Sequence, residues 1–483
     1  MTTDESREQE YKEKIKASLD SVLESGFVPE LGEHKKGKVR DVHFSGDKVI
    51  MVASDRVSCF DHVLSRCIPF KGAVLNLFNE WATQNSAGNV FDARLLSPDV
   101  NVIVQRKMQN LGYECVVRGY VWGTLADNYE KGVRVKSGIE LPEGLLRYQK
   151  LDEPIFTPTT KADEGHDKDV TLEDIAKSHG KNIADDARKM SLKLFQRGTE
   201  LADKAGMIFI DTKYEFGISE EGILYLIDEA NTPDSSRFCS KEEYERKWKQ
   251  ITEEMRKGNY ASVSELLRAR PELKIREESK QFVRDVLIEA GYEEGKPIPE
   301  LTDEQVVETA FRYIDSYERL TGRKFDFNAS ELPTKKRIMN NLVKAGIAYG
   351  GCVVPMGASI EKDRGHWEKL EQALKDVRIP YVQPVFLSAH KKTQEVLDYV
   401  RRMDESIEPL VYIVFVGRSN GLGPVVAGNT TRPVIACPVF KDDVEYLIDV
   451  HSSLRMPSGV PLMTVTGPGN AVLAAKRIID MLK

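Results

Sequence analysis

Closely spaced cysteine pairs are missing from this sequence. Its six cysteines are scattered over 483 residues with no C-x-x-C, which excludes a compact thiolate zinc site and argues for reduced thiols rather than a disulfide framework. No apolar run reaches the ~20 residues that a membrane-crossing helix needs. Positive charge is not in excess either: 69 Lys and Arg stand against 76 Asp and Glu, a net charge of −7, which disfavours a nucleic-acid partner. The first residues, "MTTDESREQEYKEKIK", put charges where a signal peptide needs an apolar core. A cytoplasmic protein without membrane contact is the expectation. A Walker loop, G-x-x-x-x-G-K-[ST], is absent, as is any evident long repeat or low-complexity tract.

What is present is ordinary globular composition, 41% apolar and 30% charged. One core rarely grows past roughly 250–300 residues, so this length predicts two or more domains. "GKVRDVHFSGDKVIMVASD" (37–55) reads as two strands about a Ser45-Gly46-Asp47 turn, and "GMIFIDTKYEFGI" returns through Ser219–Gly222 to "ILYLIDEA". Helical patterns fill the space between, as in "DIAKSHGKNIADDARKMSLKLFQRGTELADKAG", and dominate from Ser240 to about Leu320. "TGRKFDFNASELPTKKR" (321–337) has linker composition, which predicts an independent first domain ending near Leu332. Beyond Lys344 the pattern changes. "GGCVVPMG", "YVQPVFLSAH", "LVYIVFVG" and "PVIACPV" alternate with helical stretches such as "HWEKLEQALKDV" and "TQEVLDYVRRMDE". That alternation predicts a parallel, doubly wound sheet, whose ligands bind beyond the carboxyl ends of its strands.

In "FIDTKYEFG" (209–217), Asp211, Lys213 and Glu215 recur at every second position and so share one face of a strand. A partly buried acid–base–acid row must be paired internally, bind a charged ligand or face water. The returning strand ends in Asp228-Glu229, and Glu215 with Asp228 across the turn suit a magnesium ion bridging nucleotide phosphates. The bland alternative, a salt-bridge ladder around Lys213, carries about even weight. "KKGKVRDVH" offers Lys38 and Arg40 after a glycine as a phosphate clamp, although basic residues on a hairpin are more often simply solvated. "YECVVRGYVWGT" puts Glu114 and Arg118 on one face, where an internal pair competes with a carboxylate-binding role.

Taken in order, "GKVRDVH", "SDRVSCFD", "YECVVRGYVWGT", "PIFTPTTKADEGHD", "FIDTKYEFG", "DEANTPDSSRF" and "SKQFVRD" resemble the SAICAR synthetase family of purine biosynthesis over about residues 20–325. The resemblance implies an ATP-binding α+β fold and an ATP- and magnesium-dependent ligase that joins a carboxylated imidazole nucleotide to L-aspartate. It places Lys38, Arg40 and Glu114 at ATP, Glu215 and Asp228 at magnesium, and Lys213 at the developing charge. Arg118, Asp234, Ser235 and Arg237 would hold the imidazole nucleotide or aspartate. His43 stands where the family usually has tyrosine, and Thr124 where it usually has serine.

In the second part, "SAHKK" puts His390 at a strand end next to Ser388, where an imidazole can move protons near neutrality. A lone histidine is more often structural. "GRSNGLGPVVAGNT" (417–430) is a glycine-rich loop whose bare N–H groups suit a phosphate or a small neutral molecule, or else is a plain connection. With "SSLRMPSGV" (452–460), these motifs resemble AIR carboxylases over about residues 346–483, and "SNGLGP" with "GNT" looks like the animal type, which uses carbon dioxide directly. The fold implied is a flavodoxin-like doubly wound parallel sheet. His390 would move the proton at the imidazole carbon. Ser419, Asn420 and Gly421 would position carbon dioxide, and Ser359, Asp363, Ser388 and Arg455 would hold the nucleotide. "GASIEKD" departs from the family's glycine-serine-any-serine-aspartate, with Ala358 for the first serine and two extra residues before Asp363. Neither half calls for biotin. The pairing implies a bifunctional enzyme with residues 1–325 as ligase, 326–345 as linker and 346–483 as carboxylase, forming a homo-oligomer, an octamer by analogy. The competing readings are a non-catalytic assembly scaffold in place of the carboxylase, and a mutase acting on a carbamate.

Overall fold

The computed structural model describes residues 3–60, 62–86, 91–161, 168–277, 281–293, 296–327 and 334–482. The chain forms two compact units, Met1–Val22 with Asp55–Ala329, and Leu23–Ser54 with Ser330–Lys483. The second therefore takes in an early segment of the chain. Part of the expected linker, 328–333, and parts of "SDRVSCFD", "PIFTPTTKADEGHD" and "SKQFVRD" lie outside the described residues. Residues 334–344 of that linker form a helix, Thr334–Lys344, which buries Ile338, Met339 and Leu342.

The first unit is built on an antiparallel sheet whose central member is the long strand Met207–Ile218. Tyr113–Tyr120 pairs along it, with Asp211 opposite Arg118 and Tyr214 opposite Cys115. Ser236–Ser240 and Leu224–Ile227 also pair with it, the latter forming the expected hairpin with Glu215 opposite Ile227. The register against Ser236–Ser240 slips between Phe209 and Asp211, and this bulge reverses which face each side chain takes. Before it Met207 and Phe209 enter the main core; beyond it Tyr214 and Phe216 do. Ile208 and Ile210 fill a separate cluster on the other face, the face that Asp211, Lys213 and Glu215 continue. The helical pattern over 174–206 belongs to two helices, Leu172–His179 and Lys181–Lys204, broken at Gly180 with φ 88°. Such a φ costs glycine little and a β-carbon much. The second of these helices packs Phe195 onto Phe209, ring centroids 4.9 Å apart. Helix Asp303–Thr321 starts in a capping box of Thr302 and Gln305. It turns Val306, Ala310, Tyr313, Ile314 and Tyr317 inward at helical spacing.

In the second unit five strands form a parallel sheet in the order Val385–Phe386, Cys352–Gly357, Leu410–Val414, Val434–Ala436, Met463–Thr464. Numbered along this sheet the order is 2-1-3-4-5, that of flavodoxin-like folds, with the switch point between the first and third strands. Successive residues serve opposite cores: Val354, Tyr412 and Val414 meet Val396, Val400 and Val426, whereas Val353, Val411 and Ile413 meet Leu370, Val472 and Ile479. Both faces are thus covered by helices, as the near-continuous apolar strands require. The early segment supplies an antiparallel meander, Glu33–Lys36, Arg40–Ser45 and Lys48–Ala53, one strand more than its sequence suggests. Phe27, just before it, is buried in the cluster of Val354, Val396 and Met403.

Candidate active sites

On the charged face of Met207–Ile218 each acid or base finds a partner on a neighbouring strand or loop. Asp211 is shared by two arginines: Oδ2 accepts from Arg118 Nη1 at 3.3 Å and Oδ1 from Arg237 Nε at 2.9 Å. Arg118 also donates through Nε to Thr157 Oγ1 at 3.0 Å. Lys213 pairs with Glu114, and Glu215 with Lys161. Of the two alternatives for Glu114 and Arg118, the internal pair is not the one found: Arg118 meets Asp211, opposite it on the next strand, and Glu114 meets Lys213. The ladder is therefore real. It is also the wall of a cleft.

That cleft, about 570 Å³, is lined by Arg118, Lys213, Asp234, Ser235 and Arg237 together with Trp122, Arg147, Lys274, Arg276, Glu277 and Arg284. Cations outnumber carboxylates along its wall, which suits a ligand bearing phosphate or carboxylate groups. Burial works against the Lys213 ammonium, but Glu114, and less directly Glu215 and Glu229, hold its pKa above the ordinary lysine value. For Arg118 burial prevails over Asp211 and lowers the pKa. In Glu277 burial raises the carboxyl pKa against the pull of Arg237, and its Oε1 accepts the Trp122 indole N–H at 2.5 Å. Asp234 is held at both oxygens, by Lys71 Nζ at 2.7 Å and Tyr313 OH at 2.7 Å. Ser235 accepts from the Thr232 N–H at 3.1 Å and turns its carbonyl to the Lys213 N–H at 3.1 Å.

Glu215 pairs with the Lys161 ammonium. The Lys161 ammonium is stabilised above its ordinary pKa by Glu215 and then Asp228, against the effect of burial. Asp228 has φ 59° and is clamped through its backbone: Gln105 Oε1 accepts its N–H at 3.2 Å, and Asn79 Nδ2 reaches its carbonyl at 3.1 Å. Two hard carboxylate oxygens around one positive charge fit magnesium, which takes few protein ligands and fills its shell with phosphate and water. Among the described residues no cluster of three or more His, Cys, Asp or Glu could hold a metal by itself. Lys38 and Arg40 lie in the second unit, Lys38 exposed at the turn before Arg40–Ser45 and Arg40 buried. Gly37 is required there by the chain itself, since a β-carbon would stand 2.8 Å from the Arg40 carbonyl. Lys71 and Lys161 are not among the residues singled out by sequence pattern. A lysine inside the apolar "IPFKGAVLNL" was a visible signal for the first, and the quoted "PTTKADEGHD" contained the second.

The other candidate site lies where the parallel strands end. Leu410–Val414 runs on into Arg418-Ser419-Asn420, three consecutive residues with φ of 39°, 47° and 46°. Such strain persists only where the surroundings impose it, and it concentrates at functional sites. Asp449 Oδ1 accepts the Ser419 N–H at 3.0 Å, and Asn420, fully buried, donates through Nδ2 to Ser453 Oγ at 2.5 Å. Its Oδ1 is buried without a partner. His390 closes against this loop: a β-carbon at Gly421 would lie 3.3 Å from its Cε1, 3.7 Å from its Nε2 and 4.0 Å from Ser419 Oγ. Ser388 makes the turn that presents it, accepting the Lys392 N–H at 2.8 Å. In "GASIEKD", Asp363 Oδ2 accepts from the N–H groups of Ala358 and Ser359, each at 2.8 Å. The two extra residues thus leave the aspartate still closing the loop. Arg455 is exposed, just after helix His451–Leu454.

Comparison with known proteins finds a family for each part of the chain. The profile described as SAICAR synthetase matches residues 33–263, and that described as AIR carboxylase matches residues 352–483. A phosphoribosylaminoimidazole-succinocarboxamide synthase of Cytophaga hutchinsonii is 44% identical over 332 residues, 68% of this chain and 100% of that protein. The chain belongs to the SAICAR synthetase family. Unlike that relative, this member carries an AIR carboxylase domain after its synthetase part. Among solved structures, a SAICAR synthase from Saccharomyces cerevisiae complexed with SAICAR superposes with a TM-score of 0.53 at 25% identity, covering 63% of this chain and 99% of that one. A PurE of Treponema denticola is 37% identical across 28% of this chain and 82% of its own length, with a TM-score of 0.26. No described helix of this SAICAR synthetase family member is long and apolar enough to cross a membrane.

Proposed function

We propose that the chain catalyses two consecutive steps of purine synthesis. Residues 346–483 carboxylate aminoimidazole ribonucleotide with carbon dioxide, and residues 1–325 join the product to L-aspartate at the expense of ATP. The observation that carries the first-domain reading is the cleft in which Lys213, Arg118 and Arg237 face one another around Asp211.

A carboxylate is a poor acyl donor until one of its oxygens becomes a leaving group. Transfer of the terminal phosphoryl group of ATP makes an acyl phosphate and ADP. The amine of aspartate then attacks the acyl carbon, the C–O bond breaks, and amide, phosphate and a proton result. Lys213, kept charged by Glu114, opposes negative charge as it develops. Arg118 and Arg237 match carboxylate and phosphate bidentately, and Asp234 with Ser235 receives donor groups. Glu215 and Asp228 would hold magnesium, whose chemistry is to neutralise the nucleotide phosphates. Lys38, Arg40 and Glu114 are assigned to ATP on the family's motif.

In the second domain the nucleophile is the electron-rich imidazole carbon, and His390 removes its proton once the new C–C bond has formed. Ser419, Asn420 and Gly421 position carbon dioxide. Ser359, Asp363, Ser388 and Arg455 hold the nucleotide. No part of this needs ATP or biotin. A loop without a histidine or carboxylate favours carbon dioxide over a carbamate that must shed its carboxyl group. The deciding assay supplies purified protein with aminoimidazole ribonucleotide and bicarbonate, with and without ATP and aspartate. Carboxylated nucleotide without ATP, and the succinocarboxamide only with ATP and aspartate, is the expected result.

A further inference from the structure

Glu277 lines the cleft of the first unit but has no role in the proposed reaction. The segment that carries it is anchored by Leu273 and Ile275, buried in one cluster with Trp122 and Tyr148. Lys247 Nζ also donates to the Lys274 carbonyl at 2.6 Å. Held there, Glu277 Oε1 accepts the buried Trp122 indole N–H at 2.5 Å, and the indole packs on Tyr148 with ring centroids 4.3 Å apart. A buried indole N–H needs such an acceptor, so the bond fixes the ring. What Trp122 fixes in turn is the start of helix Gly123–Glu130. The Arg237 guanidinium lies over that start: a β-carbon at Gly123, where φ is 54°, would stand 2.1 Å from Nη1 and 3.1 Å from Nη2. Only glycine admits the guanidinium so close. Arg237 bonds Asp211 through Nε. Burial works against its charge, but Asp211 first and Glu277 next prevail and hold its pKa above the ordinary arginine value.

We infer that Glu277 is a positioning residue for the ligase reaction, holding the Arg237 guanidinium over Gly123 for the carboxylated imidazole nucleotide, through its own charge and through the Trp122 indole. This rests on the reading of Arg237 as a substrate residue, so Arg237→Ala is measured alongside. The nucleotide rather than aspartate is the ligand concerned, because Arg276 and Arg284 join Arg237 in this wall and the nucleotide brings the greater negative charge. Glu277→Ala removes both the charge and the acceptor for the indole, whereas Glu277→Gln keeps an acceptor and loses the charge.

In the full-length protein, Glu277→Ala is expected to raise the ligase KM for the carboxylated nucleotide tenfold or more. Its kcat and its KM for ATP should stay within about twofold of wild type, and Glu277→Gln should fall between the two. Arg237→Ala should raise the same KM at least as far. Adding Glu277→Ala to it should raise that KM no more than about twofold further, because the acid acts through the arginine. If Glu277→Ala does not fold, Glu277→Gln, alone and with Arg237→Ala, carries the same comparison with a severalfold rise. An unchanged KM in the Glu277 variant while Arg237→Ala raises it overturns the inference. Effects that multiply in the double variant, or a loss confined to kcat, do so too. An unchanged KM in Arg237→Ala overturns the reading of Arg237 itself, and the inference with it.

Discussion

The ammonium of Lys71, fully buried at the start of helix Lys71–Ser86, lies 2.7 Å from Oδ2 of Asp234 in the cleft wall. With Tyr313 on the other oxygen, it fixes the carboxylate assigned to substrate. Removing one member of a buried ion pair strands the other charge, at a cost of ~3–5 kcal/mol. Lys71→Ala should therefore lower unfolding free energy by about that amount in denaturant titration and weaken the binding of ligase substrates. Replacing both charges, Lys71→Met with Asp234→Asn, should recover much of the stability and none of the ligase activity.

Lys213 and Asp228 should be separable from carboxylation. Loss of a preorganised charge at a phosphoryl-transfer site costs on the order of 10²-fold or more in rate. Lys213→Ala or Asp228→Asn should lose amide formation by at least that factor while ATP-free carboxylation persists. Wild-type ligase rates in either variant would refute the assignment of charge stabilisation and magnesium to this strand pair.

Periodicity revealed the shared face of Asp211, Lys213 and Glu215 because a strand has period two, and the strand–helix alternation revealed the parallel sheet. The partners were not legible. Arg118 finds Asp211 and Lys213 finds Glu114 because of the register between Tyr113–Tyr120 and Met207–Ile218, which no local pattern encodes. Lys161 and Lys71 act through contacts with residues 54 and 163 positions away in the chain. Least legible was the allegiance of Phe27, whose apolar neighbourhood reads as part of the first domain but which is buried among Val354, Val396 and Met403. A cut near Leu332 would strip that ring of its packing, so residues 1–332 alone should be poorly soluble.

His43 makes stability depend on acid. Burial, and then the proximity of His34, push its pKa down to about 4, with Asp41 pulling the other way. Its Nε2 accepts the Val28 N–H at 2.9 Å, which requires the neutral ring. The unfolded chain takes up this proton near the ordinary value of 6.5 and the folded protein only near 4. Between those values the unfolded state holds more protons, so stability is full above the upper one and falls as pH drops toward the lower. The loss attributable to His43 from pH 7 to pH 5 is on the order of 2 kcal/mol. His43→Tyr, the side chain usual in the family, should remove that component. Urea titrations of both proteins at the two pH values measure it, and equal slopes with pH would count against it.

The carboxylation prediction turns on what the loop at Gly417–Asn420 can and cannot donate. Ser453 already engages the Asn420 amide, and Asp449 the Ser419 N–H. What remains is a strained, backbone-rich turn that carries one cation, Arg418, and has His390 against it. Such a surface can orient a small uncharged molecule but has no acid or base of its own to move a carboxyl group from nitrogen. On the proposed reading the imidazole carbon attacks carbon dioxide directly, and His390 takes the proton it sheds. In ATP-free buffer the carboxylated product should accumulate with bicarbonate-derived carbon dioxide, as followed by its absorbance. His390→Asn should stop that step and leave the ligase working on supplied carboxylated nucleotide. A β-carbon at Gly421 would press on the imidazole at 3.3 Å, so Gly421→Ala should slow carboxylation tenfold or more with the ligase untouched. Strict dependence of carboxylation on ATP, or full activity without His390, would falsify the mechanism.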